Sequence, residues 1–197
     1  MIRPTPVTLS GQHVRLEPLS FSHLADLTVS GRDPSLWQYM RYGLVTSEDK
    51  MRDFIAYLLD HQTKGSDLPF ATIHLASGKA IGMSRYLDIQ PENRSLEVGG
   101  TWISPNYQRT PVNTEAKYLM FAHAFEVLGC LRVQLKADLR NTKSQHAIER
   151  IGAIREGVLR DHMILPDGTM RSSVYYSILA SEWPAVKQRL LSLLLPH

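Results

Sequence analysis

Between Leu96 and Ala116 the chain runs from an apolar, strand-like segment ending in Trp102 and Ile103, through the loop Ser104-Pro105-Asn106-Tyr107-Gln108-Arg109-Thr110-Pro111-Val112-Asn113, into the opening of a helix at Thr114. A loop entering a helix presents backbone N–H groups that have no intrahelical partner, and the helix dipole adds partial positive charge at the same place. Phosphate or pyrophosphate is the natural occupant of such a site. Asn113 or Thr114 is expected to cap the helix, and TEAKYLMFAHAFEVLG then places Ala116, Leu119, Met120, His123, Ala124 and Val127 on one stripe, with Gly129 as its stop. Neither G-x-G-x-x-G nor G-x-x-x-x-G-K-[ST] occurs, so an ordinary capped helix remains a competing reading of this stretch alone.

The rest of the chain narrows the choice. At 197 residues a single domain over 1–197 is expected, with 1–8 as a loose, proline-containing lead-in. One cysteine, Cys130, excludes an internal disulfide and a multi-cysteine metal site, and no metal is expected. No apolar run approaches the roughly 18 residues that span a bilayer, and MIRPTPVTLSGQ has no signal-peptide core, so a cytoplasmic protein without a membrane partner is expected. A net charge of +3 is only mildly basic, and nucleic acid or ribosome binding would rest on that charge alone.

Taken in order, His13, Arg15 and Glu17 alternate with Val14 and Leu16 as a half-buried first strand. Two helices follow, one through Leu24 and Leu27 and one capped by Thr46 or Ser47 and reaching about Lys64; the loop Arg41 to Val45 is placed to wall a cleft. Phe70 to Ala76, Ala80 to Ile89 and Ser95 to Ile103 read as a meander, Leu131 to Ala137 as a strand, and Asn141 or Thr142 to Ile151 as a helix. Two strands flank the turn Pro166-Asp167-Gly168, and a last helix is capped by Ser181. Its apolar end, Leu190 to Leu195, suits either a packed tail or a homodimer contact. The sum is an α+β domain around a mostly antiparallel sheet.

This order of elements, with W-I-S-P-N-Y-Q-R-T-P-V-N-T-E-A, then N-T-K-S, then A-I-E-R-I-G-A, resembles the GNAT superfamily of acetyl-CoA-dependent N-acetyltransferases, and within it the Rim-type branch that acetylates ribosomal-protein N-termini. The resemblance runs from about Leu9 to Trp183. It implies a GNAT-like mixed sheet of about seven strands with helices on both faces, splayed between the strands near 96–103 and 131–137. The family's pyrophosphate loop, Q/R-x-x-G-x-G/A, matches Gln108 but has Pro111 and Asn113 at the small positions. Asn tolerates positive φ, whereas Pro removes a donor and fixes its own φ. The implied cofactor-binding residues are Trp102, Ile103, Gln108, Arg109, Thr110, Val112, Asn113, Thr114, Asn141 and Ser144.

The implied reaction transfers acetyl from acetyl-CoA to a primary amine, on a small molecule or a protein N-terminus, by direct attack on the thioester. Such a reaction needs a neutral amine, a polarised carbonyl and a stabilised leaving thiolate. Glu97 is the candidate base, acting through water, and Ser144 the candidate partner of the thiol, with Asn141 reaching the pantetheine arm. Tyr175 and Tyr176 are secondary acids, His123 is expected in the core, and Arg160, Asp161 and His162 are expected on the surface or at an acceptor entrance. The altered loop motivates an alternative: an acyl-CoA-binding sensor with weak or lost transfer.

Overall fold

The computed structural model describes residues 1–195. In chain order the elements are β1 (Leu9–Ser10), β2 (Val14–Pro18), α1 (Leu24–Ser30), α2 (Glu48–Thr63), β3 (Leu68–His74), β4 (Lys79–Gln90), β5 (Ser95–Ile103), α3 (Pro111–Ala122), β6 (Arg132–Asp138), α4 (Thr142–Arg150), β7 (Ile154–Ile164), β8 (Met170–Leu179) and α5 (Trp183–Ser192). The strands form one sheet in the order β1-β2-β3-β4-β5-β6-β8-β7. That is eight strands rather than seven. The extra one is the two-residue β1, too short to show alternation, which pairs with β2 across the turn at Gly11.

Strand alternation divides the core into two layers. On one face Leu16, Tyr86, Val98, Leu135 and Tyr176 pack against α3, α4 and α5 through Val112, Met120, Phe121, Ile148, Trp183 and Leu190. On the other, Ala71, Ile73, Met83 and Trp102 meet α1 and α2 through Leu27, Met51, Phe54 and Ile55. Trp102 belongs to the second layer although Leu96 and Val98 belong to the first, because β5 carries an extra residue opposite β4 between Gly99 and Trp102. Gly100, at φ +59, takes the left-handed bend this bulge requires.

Two helix starts differ from expectation. α3 begins at Pro111 with Thr110 as N-cap, not Asn113 or Thr114. The Thr110 hydroxyl accepts from the Val112 N–H and donates to the Tyr107 carbonyl. Proline suits the first helical position because its N–H would have no partner there and its fixed φ is already helical. Asn113 therefore lies inside the first turn, and the left-handed residue of the loop is Arg109, at φ +62. α5 begins at Trp183 with Glu182, not Ser181, at the cap position, its carboxylate reaching back to the Leu179 N–H at 2.8 Å. α3 also ends earlier than its stripe suggested. It widens into a π-helical turn over His123–Val127 before Gly129, at φ +70, turns the chain.

Of the apolar tail, Leu190 is fully buried while Leu195 is exposed. Burial of Leu190 alone contributes roughly 2 kcal/mol. A buried carboxylate ties α3 to the other end of the chain. Glu115 accepts the backbone N–H groups of Gln12, His13 and Val14, each at 2.7 Å. Among the described residues no helix is long and apolar enough to cross a membrane.

Candidate active site

The ladder between β5 and β6 is the sheet's one parallel pairing among the described residues, and it stops early. It holds only Ser95↔Arg132, Leu96↔Val133 and Glu97↔Gln134. Beyond Glu97 the strands part: β5 stays paired to β4 on its far side, and β6 to β8. The inner edges of Gly99–Ile103 and Leu135–Asp138 thus carry backbone donors and acceptors with no ladder partner, facing a cleft of about 630 Å³. Unpaired edge groups of this kind suit an extended ligand rich in amides.

One end of the cleft lies between the starts of α3 and α4. Asn141 caps α4, its side chain accepting from the Ser144 N–H at 3.0 Å. Lys143 donates to the Gln108 side-chain carbonyl, and the Gln108 amide donates to the Ile103 carbonyl at 2.8 Å, so the two helix starts are linked by side chains. Arg109 and Lys143 add positive charge beside the orphan N–H groups. Asn113 lines the cleft, and its side-chain oxygen is buried and has no hydrogen-bond partner among the described residues. A polyanion whose body carries N–H donors matches this donor and acceptor set. Among the described residues no group of three or more His, Cys, Asp or Glu is placed to hold a metal ion.

Glu97 sits at the crotch of the fork, 1% exposed. Its Oε2 lies 2.9 Å from Lys136 Nζ and accepts from Gln134 Nε2 at 3.1 Å. Its Oε1 makes no hydrogen bond among the described residues, and it occupies the space that a Cβ at Gly99 would fill, 2.6 Å from that position. One carboxylate oxygen is anchored and the other is available.

Most residues singled out from the sequence line this cleft: Glu97, Trp102, Ile103, Gln108, Arg109, Thr110, Asn113, Asn141 and Ser144. Val112 and Thr114 do not. The Val112 side chain packs in the core, and the Thr114 hydroxyl accepts from Arg150 at 2.8 Å, so only their backbone groups belong to the helix start. Tyr176 is buried and bonded to Glu149, its hydroxyl pushed up to about 12 by desolvation first and Glu149 second. Neither it nor Tyr175 lines the cleft. His123 lies in the core beside the Tyr86 hydroxyl, its pKa lowered by burial. Arg160, Asp161 and His162 lie exposed on β7 and do not line the cleft, which Met163 next to them does. The Cys130 thiol is buried and pushed up to about 11 by desolvation, the setting of an inert structural thiol.

Arg41 and Tyr42, from the anticipated wall, do line the cleft. Charged residues in it that were not anticipated include Arg85, Lys117, Lys136 and Arg171. Lys117 projects from the second turn of α3 and is buried, donating to the Ser84 hydroxyl at 3.1 Å and to the Thr101 hydroxyl. Desolvation brings its pKa down to about 7.

Comparison with known proteins agrees with this architecture. The acetyltransferase (GNAT) domain family matches residues 13–154. The chain is 30% identical over 174 residues to the Bacillus subtilis (strain 168) protein named "Putative ribosomal N-acetyltransferase YdaF", covering 87% of this chain and 92% of that one. A crystal structure of a GCN5-related N-acetyltransferase from Brucella melitensis superposes with a TM-score of 0.91 at 31% identity, covering 98% of this chain and 88% of that one. Mycobacterium smegmatis RimJ in complex with CoA-disulfide shares the fold, with a TM-score of 0.81 at 20% identity over 95% of each chain.

Proposed function

The chain belongs to the GNAT acetyltransferase family and is an acetyl-CoA-dependent acyltransferase, and from that premise we propose that it transfers acetyl to a primary amine by direct attack of the amine on the thioester. The fork between β5 and β6 carries the proposal, because it offers unpaired backbone groups along a cleft that ends at two helix starts. The capture of a CoA derivative by the RimJ fold is consistent with that use of the gap.

In this reading the pantetheine arm pairs with the inner edges of Gly99–Ile103 and Leu135–Asp138, while the pyrophosphate takes the helix starts with Arg109 and Lys143. Bound acetyl-CoA supplies an activated acyl carbon. The neutral amine forms the C–N bond as the C–S bond breaks. Its proton leaves through the open Oε1 of Glu97, directly or by one water, and the Ser144 hydroxyl donates to the departing sulfur. Lys136 and Gln134 hold the other Glu97 oxygen, so the carboxylate stays aimed at the fork. Holding amine and thioester together accounts for much of the acceleration. The motive for a sensor without turnover weakens once Pro111 is the first residue of α3, where its missing N–H costs no helix bond.

The test is thermal unfolding with acetyl-CoA, free CoA and ATP, followed by CoA release with a panel of amines. At one hundred times Kd the cofactor stabilises the fold by about 2.7 kcal/mol, roughly 5 to 11 °C for a domain of this size. Stabilisation by acetyl-CoA and CoA but not ATP, with CoA release on adding an amine, is expected. No shift at millimolar acetyl-CoA refutes the cofactor site, and a shift without CoA release for any amine refutes the transfer.

A further inference from the structure

The carboxylates on the α1/α2 side of the cleft are each matched to one cation. Glu97 is paired with Lys136 at 2.9 Å, Asp138 with Arg140 at 2.8 Å, and Asp67 with Arg85 at 2.7 Å. Away from the helix starts, where Arg109 and Arg150 lie, two guanidinium groups are left over. Among the described residues neither Arg171 nor Arg41 has a carboxylate within ion-pair distance. Arg171 is only 8% exposed and lines the cleft, its Nε donating to the Ser173 hydroxyl at 2.8 Å and its Nη1 to the Tyr39 carbonyl at 3.1 Å. Both partners are neutral. They orient the fork of the guanidinium without compensating its charge.

Burying an unmatched cation is costly, and proteins accept the cost where a ligand completes the pair. Arg171 shows the strain: desolvation lowers its pKa, Asp138 and Glu97 offset part of this from a distance, and the charge of Arg41 adds to the lowering. Arg41 faces it from the loop at the cleft mouth, held by the Tyr42 and Tyr57 hydroxyls at 3.2 and 3.4 Å. Glu97 is thus near enough to be felt by Arg171, so an anion between the two arginines lies close to the proposed point of proton removal.

Resting on the transfer reading above, we propose that Arg171 and Arg41 form an anion subsite that reads a carboxylate on the acceptor, so that the acceptor is a primary amine with a carboxylate a few bonds away. The planar guanidinium of Arg171 suits a carboxylate in two-point contact, and Arg41 at the mouth supplies a second cation beside it. The carboxylate belongs either to a free amino acid or to an acidic residue at a peptide N-terminus.

Two matched pairs of acceptors separate these sources: alanine against alaninamide, and Asp-Ala-Ala-amide against Asn-Ala-Ala-amide. For each, kcat/KM is measured with acetyl-CoA and corrected to the concentration of neutral amine, and binding to the CoA-loaded protein is measured by calorimetry. A preference of roughly tenfold or more for the carboxylate member of one pair is expected, and that pair identifies the source. Arg171→Gln and Arg41→Gln should each cut the preference by about 10- to 100-fold while leaving acetyl-CoA affinity unchanged. A merely structural Arg171 would lower kcat/KM for both members alike. Should Arg171→Gln not fold, Arg41→Gln, at the exposed mouth, decides. Equal binding and equal kcat/KM within both pairs, or a preference that survives in the variants, overturns the subsite. If acetyl-CoA does not bind, the transfer reading fails, and calorimetry of the free protein with the same pairs still decides the subsite.

Discussion

Replacing Lys117 by Met should stabilise this protein, and more so at pH 7 than at pH 9.5. Lys117 is buried, with only the hydroxyls of Ser84 and Thr101 as hydrogen-bond partners among the described residues, and its pKa falls from 10.5 to about 7. In the unfolded chain it keeps the ordinary value. Between pH 7 and 10.5 the unfolded state therefore binds a proton that the folded state does not, and stability rises with pH through that window. Above the window both states are neutral and nothing is lost; as pH falls toward 7 the loss accumulates. Integrated from pH 9.5 down to 7, it is about 3 kcal/mol. Methionine fills a similar volume and cannot titrate. Ser84 and Thr101 keep a partner, since their oxygens lie 2.7 Å apart. Urea unfolding of both proteins at half-unit steps from pH 6.5 to 9.5 isolates the effect, because other groups contribute equally to each. The stability difference, variant minus wild type, should grow by about 3 kcal/mol as pH falls across the range. Parallel profiles would refute a buried, neutral Lys117.

Further outcomes follow from the same geometry. Glu97→Gln should lower kcat by about 10²- to 10⁴-fold with acetyl-CoA binding unchanged by calorimetry; full activity would remove Glu97 from proton transfer. Ser144→Ala should lower kcat without altering the fold, read by pre-steady-state CoA release. Glu115→Ala leaves the N–H groups of Gln12, His13 and Val14 without their acceptor and should cost about 3 kcal/mol, seen as a lower urea midpoint; a loss under 1 kcal/mol would mean water replaces it. Pro111→Ala, at the first position of α3, should leave stability within about 1 kcal/mol and acetyl-CoA affinity equal or tighter, and a large loss of affinity would show that the proline shapes the loop.

Strand β6 was legible because Val133, Leu135 and Ala137 alternate with polar residues, and the start of α4 because Asn141 is a strong cap with its partner three residues on. The start of α3 was misplaced because Pro111 is ambiguous locally: the same ring that breaks a helix interior favours the first position. Lys117, Arg171 and Glu115 escaped notice for a different reason. Each would be an ordinary solvated residue in an isolated helix or strand, and its role comes from partners distant in sequence. Tyr39 is 132 residues from Arg171, and the amides held by Glu115 are 101 to 103 residues before it. Patterns of alternation report which face is buried, but not which charges that burial leaves unmatched. Glu97 was singled out for its place mid-strand beside the segment expected to hold the thioester, and the fold puts it in the lining of the cleft.

The early end of the β5–β6 ladder also has a mechanical meaning. It divides the sheet into two antiparallel blocks, β1 to β5 and β6-β8-β7, hinged on three residue pairs. α3 lies across the hinge, touching β2 in one block and α5 beside the other. A molecule laid in the gap bonds to both blocks and works as a splint. Deuterium uptake at the gap-facing amides of 99–103 and 135–138 should therefore be rapid in the free protein and slow in the loaded one, while the outer strands hardly change. With CoA held in the gap as proposed, its release would draw on the stiffness of a three-rung hinge.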